Sequence, residues 1–228
     1  MKKPILLFAA LSFVMSIAGD CSRLFAFELT PFVKLGTINW REKNINEGHK
    51  FLQAAGLKMK SEFDDFKGIV GAEVWRMGEP LDEDRELPSK GHSFCAEIEY
   101  NKQIDDHLIV YPYAGAGFER FSRVDEGNIK YHESWSSLSY FSLALGGGAR
   151  YKIAYAKAGA RFPFYARTSN NLKPKAKTGF DFEIGIRWRG LTLGWFYKRI
   201  GFDEFGPETV RQPDFEFNRY GAIIKYSF

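Results

Sequence analysis

Apolar and polar side chains alternate along most of the chain, in segments of about ten residues separated by turn-forming residues. In the clearest segment, 178–188, one face carries Phe180, Phe182, Ile184 and Trp188, and the other carries acidic, basic and glycine residues. A repeat of two residues predicts a β-strand, because successive side chains of a strand point to opposite faces. An ordinary soluble sheet rarely places large aromatic residues on one face and charges on the other in strand after strand.

The same alternation predicts ten strands, and the pattern is weakest in the first three. The predicted strands are 29–40, 51–61, 67–77, 92–102, 108–121, 138–151, 154–166, 178–188, a segment that begins at Leu191 and a final segment that ends at Phe228.

Short and long connections alternate strictly between these segments. The short ones are 62–66, 103–107, 152–153 and 189–190, and the long ones are 41–50, 78–91, 122–137, 167–177 and 203–215. Alternating strands with short turns at one end and long loops at the other are typical of transmembrane barrels. The sequence therefore predicts an all-β fold, an antiparallel up-and-down transmembrane β-barrel of about ten strands, with both chain ends on the short-turn side. If 51–61 is a loop and a second N-terminal strand is also lost, about eight strands remain.

The composition agrees with a barrel. Aromatic residues make up 17% of the 228 residues and glycine is frequent, with 22 copies, both of which favour strands over helices. The formal net charge is only +4, and the basic residues are interspersed with acidic ones, so we expect no nucleic-acid partner.

The chain begins with the pattern of a secretory signal peptide. Lys2 and Lys3 precede an apolar run over residues 5–15, which has the length of a signal core and is too short to span a membrane as a helix. Small residues favour cleavage after Ala18 or after Ala26. The second site stops just before the first predicted strand, and we favour it slightly.

Cleavage at that second site divides the chain into a signal peptide, 1–26, and a barrel domain, 27–228. Cys21 lies in a stretch that resembles a lipoprotein signal, but Asp20 stands where such signals have a small residue. Cys95 is then the single cysteine of the mature chain, and we interpret it as a packed, inert thiol. Cleavage at the first site would allow a Cys21–Cys95 disulfide in an oxidising compartment.

Two short motifs resemble a known family. The last nine residues end in Tyr226, Ser227 and Phe228 after alternating apolar positions, and they resemble the C-terminal assembly signal of bacterial outer-membrane proteins. The common signal has a glycine five residues before the terminal Phe, where this chain has Ile223. The stretch 112–118, rich in glycine and aromatic residues, resembles strands of OmpA-like small barrels.

This resemblance implies a protein of the Gram-negative outer membrane. Its expected partners are the outer-membrane lipid and the barrel assembly machinery, which would read Tyr226 and Phe228 as the assembly signal. The ligand of the external loops stays unknown at this point.

Candidate catalytic and metal-binding residues are few. The four histidines, His49, His92, His107 and His132, show no metal-ligand spacing, and no cysteine cluster accompanies them. We place His49, His92 and His132 in external loops. We therefore expect no metal and no cofactor.

One triplet resembles a catalytic motif. His132-Glu133-Ser134 is similar to the His-x-Ser pair of outer-membrane lipid A deacylases, but the Asn that usually follows the Ser is missing. We interpret the triplet as part of a solvated loop. The acidic pairs Asp64-Asp65 and Asp105-Asp106 fall in the short turns and are interpreted as turn formers. The chain is therefore expected not to be an enzyme.

The most informative set of polar residues is the group of charges on the inward faces of the predicted strands. Its members are Glu97, Glu99, Glu119, Arg150, Lys157, Arg161, Asp181, Glu183, Arg187, Lys198, Arg219 and Lys225, and Lys58 and Glu73 fall on the same faces. A barrel of eight to ten strands is barely wide enough inside for its own side chains, and unpaired buried charges are costly. We expect these acids and bases to pair and to close the lumen, which favours a structural or surface-interaction role. A narrow pore for small solutes is the alternative, and an enzyme that modifies lipid A or cleaves peptides ranks third.

Overall fold

The computed structural model of the protein describes residues 27–42, 45–77, 88–123, 137–169, 171–204, 206 and 214–228. In these residues the only regular elements are β-strands. They are β1 (Glu28–Glu42), β2 (Ile45–Phe63), β3 (Phe66–Met77), β4 (Pro88–Tyr100), β5 (Lys102–Gln103), β6 (Leu108–Arg123), β7 (Ser137–Tyr151), β8 (Ala154–Thr168), β9 (Ala176–Trp188), β10 (Leu191–Phe202) and β11 (Phe215–Tyr226). The described residues include no helix long and apolar enough to cross a membrane.

Ten of these strands close into one antiparallel barrel. Each long strand pairs with the next long strand in the chain, and β1 pairs with β11, so that the sheet has no open edge. The two-residue β5 lies beside β6, and β4 pairs with β6 directly. The prediction of an all-β up-and-down barrel of about ten strands is confirmed, and the eight-stranded alternative is wrong.

The first predicted loop differs from the structure. The segment 41–50 was expected to connect two strands, but β1 continues to Glu42 and β2 already begins at Ile45. His49 and His92, both expected in loops, lie in β2 and β4. These parts of the strands carry few large apolar residues, so the alternation that marks a lipid-facing strand is absent there. The predicted signal peptide, 1–26, lies outside the described residues.

The short turns form as the sequence predicts. Asp64 adopts a left-handed conformation, φ 52°, between β2 and β3. The Asp105 carboxylate accepts hydrogen bonds from the backbone N–H groups of His107 and Leu108 at 2.7 and 2.8 Å. Both pairs of aspartates therefore shape turns, which is the role that their sequence position suggested.

Large apolar side chains form a continuous belt around the outside of the barrel. Members that keep 42–65% of their surface free include Val70, Val74, Phe94, Ile98, Leu143, Leu145, Phe162, Phe164, Phe180, Ile184, Ile186, Trp188, Leu193, Trp195 and Ile224. Exposed apolar residues on nearly every strand are unfavourable in water and favourable against lipid chains. The belt is therefore the membrane-facing surface.

The polarity of the wall reverses towards the end that carries the long connections, hereafter the loop end. On β3, Trp75 and Met77 are buried inside the barrel while Arg76 between them is exposed outside. On β6, Phe121 is fully buried and Arg120 is exposed. Apolar residues inside and charges outside are expected of a wall in contact with water. The barrel thus extends beyond its lipid belt at the loop end, which is the external end in bacterial barrels.

A charge introduced into the belt should destabilise the barrel strongly. Ile184→Arg, in the middle of β9, is expected to lower the free energy of unfolding by about 2–4 kcal/mol, because a guanidinium near the bilayer midplane loses its hydration. Thr178→Arg, an exposed position near the loop end of the same strand, is the matched control and should cost only about 0–1 kcal/mol. Urea titration in lipid vesicles measures both, and equal losses would contradict the assignment of the belt.

Candidate functional site

Inward side chains fill the lumen in two layers. The layer at the loop end is apolar, and we call it the aromatic plug. Its members are Ile38, Leu52, Trp75, Met77, Phe121, Leu138, Ile200, Phe202, Phe215 and Phe217, each 0–4% exposed. They come from β1, β2, β3, β6, β7, β10 and β11, so almost the whole wall contributes.

The rings of the plug touch across the barrel. Phe121 on β6 stacks on Phe217 of β11, with ring centroids 5.3 Å apart. These two strands lie on opposite walls, because five strand positions separate them in a ring of ten. Trp75 also packs on Phe217 at 5.6 Å, and Phe202 meets Phe121 at 6.2 Å. Since these contacts span the full width, side chains of the wall itself close the loop end of the lumen.

Below the plug lies a layer of paired charges, which we call the ionic layer. It comprises Lys34, Glu73, Glu97, Glu119, Lys157, Arg161, Asp181, Glu183, Lys198, Arg219 and Lys225. Most of these side chains are 3–20% exposed, so the pairs are shielded from bulk water. A buried charge requires such a partner, because desolvation of an unpaired one is costly.

Glu119 is the centre of this layer. Its carboxylate accepts hydrogen bonds from Arg219, from Lys198 at 2.5 Å and from the Tyr140 hydroxyl at 2.5 Å. Arg219 lies on the opposite wall, on β11, and its second amino group, Nη1, is 3.5 Å from Glu73. The glutamate and arginine therefore form a crosspiece through the middle of the barrel.

The crosspiece is joined to the aromatic plug above it. The Arg219 guanidinium lies 5.1 Å from the centroid of the Trp75 ring and 5.5 Å from that of Phe217. A guanidinium is attracted to the face of an aromatic ring and can stack on it. The two layers thus form one continuous packed unit.

Three further clusters pair the remaining acids. Lys157 on β8 reaches Glu97 at 2.6 Å and Glu99 at 3.0 Å, both on β4 across the lumen. Arg161 pairs with Asp181 at 3.1 Å. Lys225 pairs with Glu183, which also accepts a 2.6 Å hydrogen bond from the Tyr155 hydroxyl.

Two of the predicted charges lie apart from this layer, towards the turn end. Arg150 donates to the side-chain oxygen of Asn101 at 2.6 Å, and Arg187 pairs with Glu28 at 3.3 Å. Lys60 pairs with the same glutamate at 2.5 Å. The structure therefore brings ten of the twelve predicted charges into the ionic layer or into contact with it, and leaves Arg150 and Arg187 nearer the mouth.

Inward tyrosines need glycines on the neighbouring strands. A Cβ atom added to Gly159 would lie 1.9 Å from the Tyr113 hydroxyl, and one added to Gly148 would lie 2.3 Å from Cζ of Tyr111. The run Gly146-Gly147-Gly148 on β7, which superficially resembles a phosphate loop, contributes two of these positions. Its function is to make room in a narrow lumen.

Substitution of one of these glycines should be costly. Gly159→Ala is expected to destabilise the barrel by about 1–3 kcal/mol, because the new methyl group must displace the Tyr113 ring. Gly147→Ala is the control, since its Cβ would meet no atom closer than 3.7 Å. Unfolding titrations measure both, and a Tyr113→Ala background should relieve most of the Gly159→Ala cost. A cost that persists there would mean that the ring is not its cause.

A cavity of about 110 Å³ remains within the ionic layer. Lys58, Cys95 and Ser142 line it together with the paired charges. Cys95 is the free cysteine of the described residues, and it points into the lumen between the aromatic plug and the Lys157 cluster. Its thiol therefore reports on whether solutes reach the middle of the barrel.

The other candidates from the sequence are a metal site, one catalytic triplet and the terminal aromatic residues. The described residues contain no group of three His, Cys, Asp or Glu side chains that could hold a metal ion. The His132-Glu133-Ser134 triplet lies outside the described residues. Tyr226 and Phe228 stack edge to face at 4.9 Å on the outer surface, and the Phe228 N–H donates to the carbonyl of Leu29 at 3.0 Å.

The aromatic plug is the part of the site that the alternation did not predict. Its residues occupy the face that the sequence assigns to polar side chains. The available signal was a charged residue at an outward position beside an aromatic residue at an inward one, as in Arg76-Met77 and Arg120-Phe121 near the loop end. Lys34 and Glu28 were also missed, because they lie in the weakly patterned first strand.

The architecture defines the class of protein. In lipid every backbone polar group must be paired, and a closed sheet meets that requirement. An apolar outer face and a polar interior are the other features of a transmembrane barrel. The chain is a β-barrel protein of the bacterial outer membrane.

Comparison with known proteins adds fold likenesses at low similarity. No protein-family model and no curated protein matches the chain. The outer-membrane protease OmpT of Escherichia coli matches over 88% of this chain and 97% of its own, with 8% identity and a TM-score of 0.48. Neisserial surface protein A matches over 90% of this chain and 98% of its own, with 11% identity and a TM-score of 0.38. Ail, the attachment invasion locus protein of Yersinia pestis, matches over 87% of this chain and 98% of its own, with 14% identity and a TM-score of 0.34. Such scores are too low to assign a role to this chain.

Proposed function

We propose that the protein is a closed outer-membrane barrel with a structural or surface-interaction role, in which the rigid wall presents the long external connections to a partner. One observation carries this proposal. Side chains from opposite walls meet at two successive levels, Phe121 with Phe217 and Glu119 with Arg219. A lumen crossed twice in this way leaves no continuous path for solutes. Loops held on a rigid scaffold are a common place for binding function.

The alternative of a narrow pore requires both levels to open. Among the described residues, a cavity of about 110 Å³ beside Lys58 and Cys95 lies between the inward side chains. A catalytic role has no support from the described lumen, where acids pair with bases. The proposed role is therefore that of a scaffold.

Planar-bilayer recording tests the closed lumen. Refolded protein, checked by its heat-modifiable migration on SDS gels, should give no discrete conductance steps, whereas a general porin inserted under the same conditions should. Steady, discrete channels from the parent protein would overturn the proposal and favour the pore.

The proposal includes Tyr226 and Phe228 as a signal for the barrel assembly machinery. Phe228→Ala should reduce the amount of protein inserted into the outer membrane of cells, because the variant lacks the terminal aromatic ring. The variant keeps the backbone hydrogen bond between residue 228 and Leu29. Refolding of this variant into detergent, where no machinery acts, should be almost unchanged, and Phe228→Tyr should assemble normally. Equal losses in cells and in detergent would show that the ring acts only through stability.

A further inference from the structure

Three cations form a cluster on the outer face of the barrel at the loop end. Arg76 on β3, Lys90 on β4 and Arg120 on β6 are all exposed and point outward, directly above the lipid belt. We call them the rim cations. None of the three faces the lumen.

The strand register places these charges side by side. Arg76 is directly opposite Lys90 in the β3–β4 pair. Lys90 is opposite Ser122 in the β4–β6 pair, so Arg120, two residues before Ser122, is its diagonal neighbour. Side chains directly opposite one another lie about 5 Å apart at Cβ, and like charges in that position are destabilising. An anion bound among the three cations would relieve this repulsion.

The described part of the chain supplies no such anion here. No carboxylate among the described residues pairs with a rim cation, and the Arg120 guanidinium donates to the Ser137 hydroxyl at 3.1 Å. Two strand cations at the same end on the other side have carboxylate partners. There Lys177 pairs with Asp203 and Asp214, and Arg199 pairs with Glu216. Within the part of the chain that the structure describes, the rim cations thus differ from Lys177 and Arg199 in that they lie beside one another and have no carboxylate partner.

An apolar aromatic surface lies directly below the rim cations. The His92 ring, next to Lys90 on the same face, is 6.0 Å from the rings of both Phe94 and Phe118. Phe118 in turn packs on Phe141 at 4.9 Å. Positive charges above exposed aromatic rings match an amphiphile with an anionic head and apolar chains. Aromatic residues commonly mark the level of the headgroups.

We propose that Arg76, Lys90 and Arg120 bind the phosphate of an outer-leaflet lipid, whose acyl chains lie on the aromatic surface of β4, β6 and β7. Arginine suits a phosphate because its planar guanidinium donates two parallel hydrogen bonds to it. Lysine adds a point charge, and basic residues at a membrane surface attract anionic headgroups. This inference goes beyond the scaffold role and holds whether or not the lumen conducts.

Native mass spectrometry of the detergent-solubilised protein with added bis-phosphorylated lipid A tests the site. The parent should retain the lipid, and dephosphorylated lipid A should be retained far less. The triple variant Arg76→Gln, Lys90→Gln, Arg120→Gln should bind roughly a hundredfold more weakly, and Lys90→Gln alone roughly fivefold. The single variant serves as the test if the triple variant does not fold.

A matched variant on the other side is the control. Lys173→Gln, Lys177→Gln, Arg199→Gln removes the same charge from the loop end near β9 and β10, and it should bind lipid A like the parent. Equal loss in both triple variants, or equal retention of dephosphorylated lipid, would overturn the proposal. Competition by millimolar inorganic phosphate as effective as that by the lipid would also overturn it, since the site would then serve a free anion.

Discussion

Glu119→Gln is expected to destabilise the barrel by about 3–5 kcal/mol, the usual cost of leaving buried charges without their partner. Lys198 and Arg219 share this carboxylate, so its loss leaves two cations facing each other in the ionic layer. Glutamine keeps the size of the side chain and can still accept the Tyr140 hydrogen bond. The measured loss therefore reports charge rather than packing. Urea titration of refolded protein in vesicles provides the free energy of unfolding.

The control is Glu216→Gln, which removes the carboxylate from the more exposed Arg199 pair on the outer wall. This substitution should lower the free energy of unfolding by about 0–1 kcal/mol, which is the usual contribution of an exposed ion pair. Adding Lys198→Met to Glu119→Gln should restore part of the stability, because one of the stranded cations is removed. A Glu119→Gln loss below that of Glu216→Gln, or strictly additive losses in the double variant, would contradict the crosspiece.

Phe121→Ala should cost a similar amount, about 3–5 kcal/mol, since it leaves a cavity in the aromatic plug. The ring is fully buried and stacks on Phe217 across the lumen. The matched control is Phe94→Ala on the neighbouring strand β4, where the ring is 54% exposed on the lipid side. Lipid chains can fill the space left by Phe94, whereas rigid walls surround Phe121. The same titration measures both.

Comparable losses for the two variants would mean that the Phe121 site collapses freely. The plug would then be too soft to seal the lumen. If Phe121→Ala lowers the free energy of unfolding strongly, a crystal structure of the variant should show an unfilled cavity at the site of the ring.

The lipid-facing strands could be predicted because the membrane imposes a strong pattern on them. Phe180, Ile184 and Trp188 lie on one face, with charged residues on the other, as is typical of a strand with one face in lipid. Where the wall leaves the lipid, as at His49 and His92, the outward residues become polar and the signal disappears. The strands there continue by backbone pairing alone, which no side-chain pattern reveals.

The charged positions of the lumen follow from the same alternation, but their partners do not. Glu97 and Lys157 lie 60 positions apart and meet because β4 and β8 reach the same height in the lumen. That height depends on the shear of the closed sheet, which the spacing of residues along the chain does not encode. Lysines pair with Glu97, Glu99 and Glu183, and Arg161 pairs with Asp181.

The aromatic plug escaped prediction for a related reason. Phe121 and Phe217 are inward aromatic residues in strand ends whose outward residues are polar, so the chain reverses the rule that holds in the belt. A pattern based on apolar outward residues therefore does not predict which side chains fill the lumen at these ends.

The reactivity of Cys95 measures the central claim, the closed lumen, most directly. Its thiol lines the cavity within the ionic layer, so a solute must pass either the aromatic plug or the paired charges to reach it. In folded parent protein, a small charged methanethiosulfonate reagent should leave Cys95 unmodified, as read from the mass of the Cys95 peptide, and unfolding in urea should make modification complete. Phe121→Ala combined with Phe217→Ala, if folded, should be modified at an intermediate rate. Rapid modification of the folded parent protein would show an open path to the middle of the barrel and contradict the account.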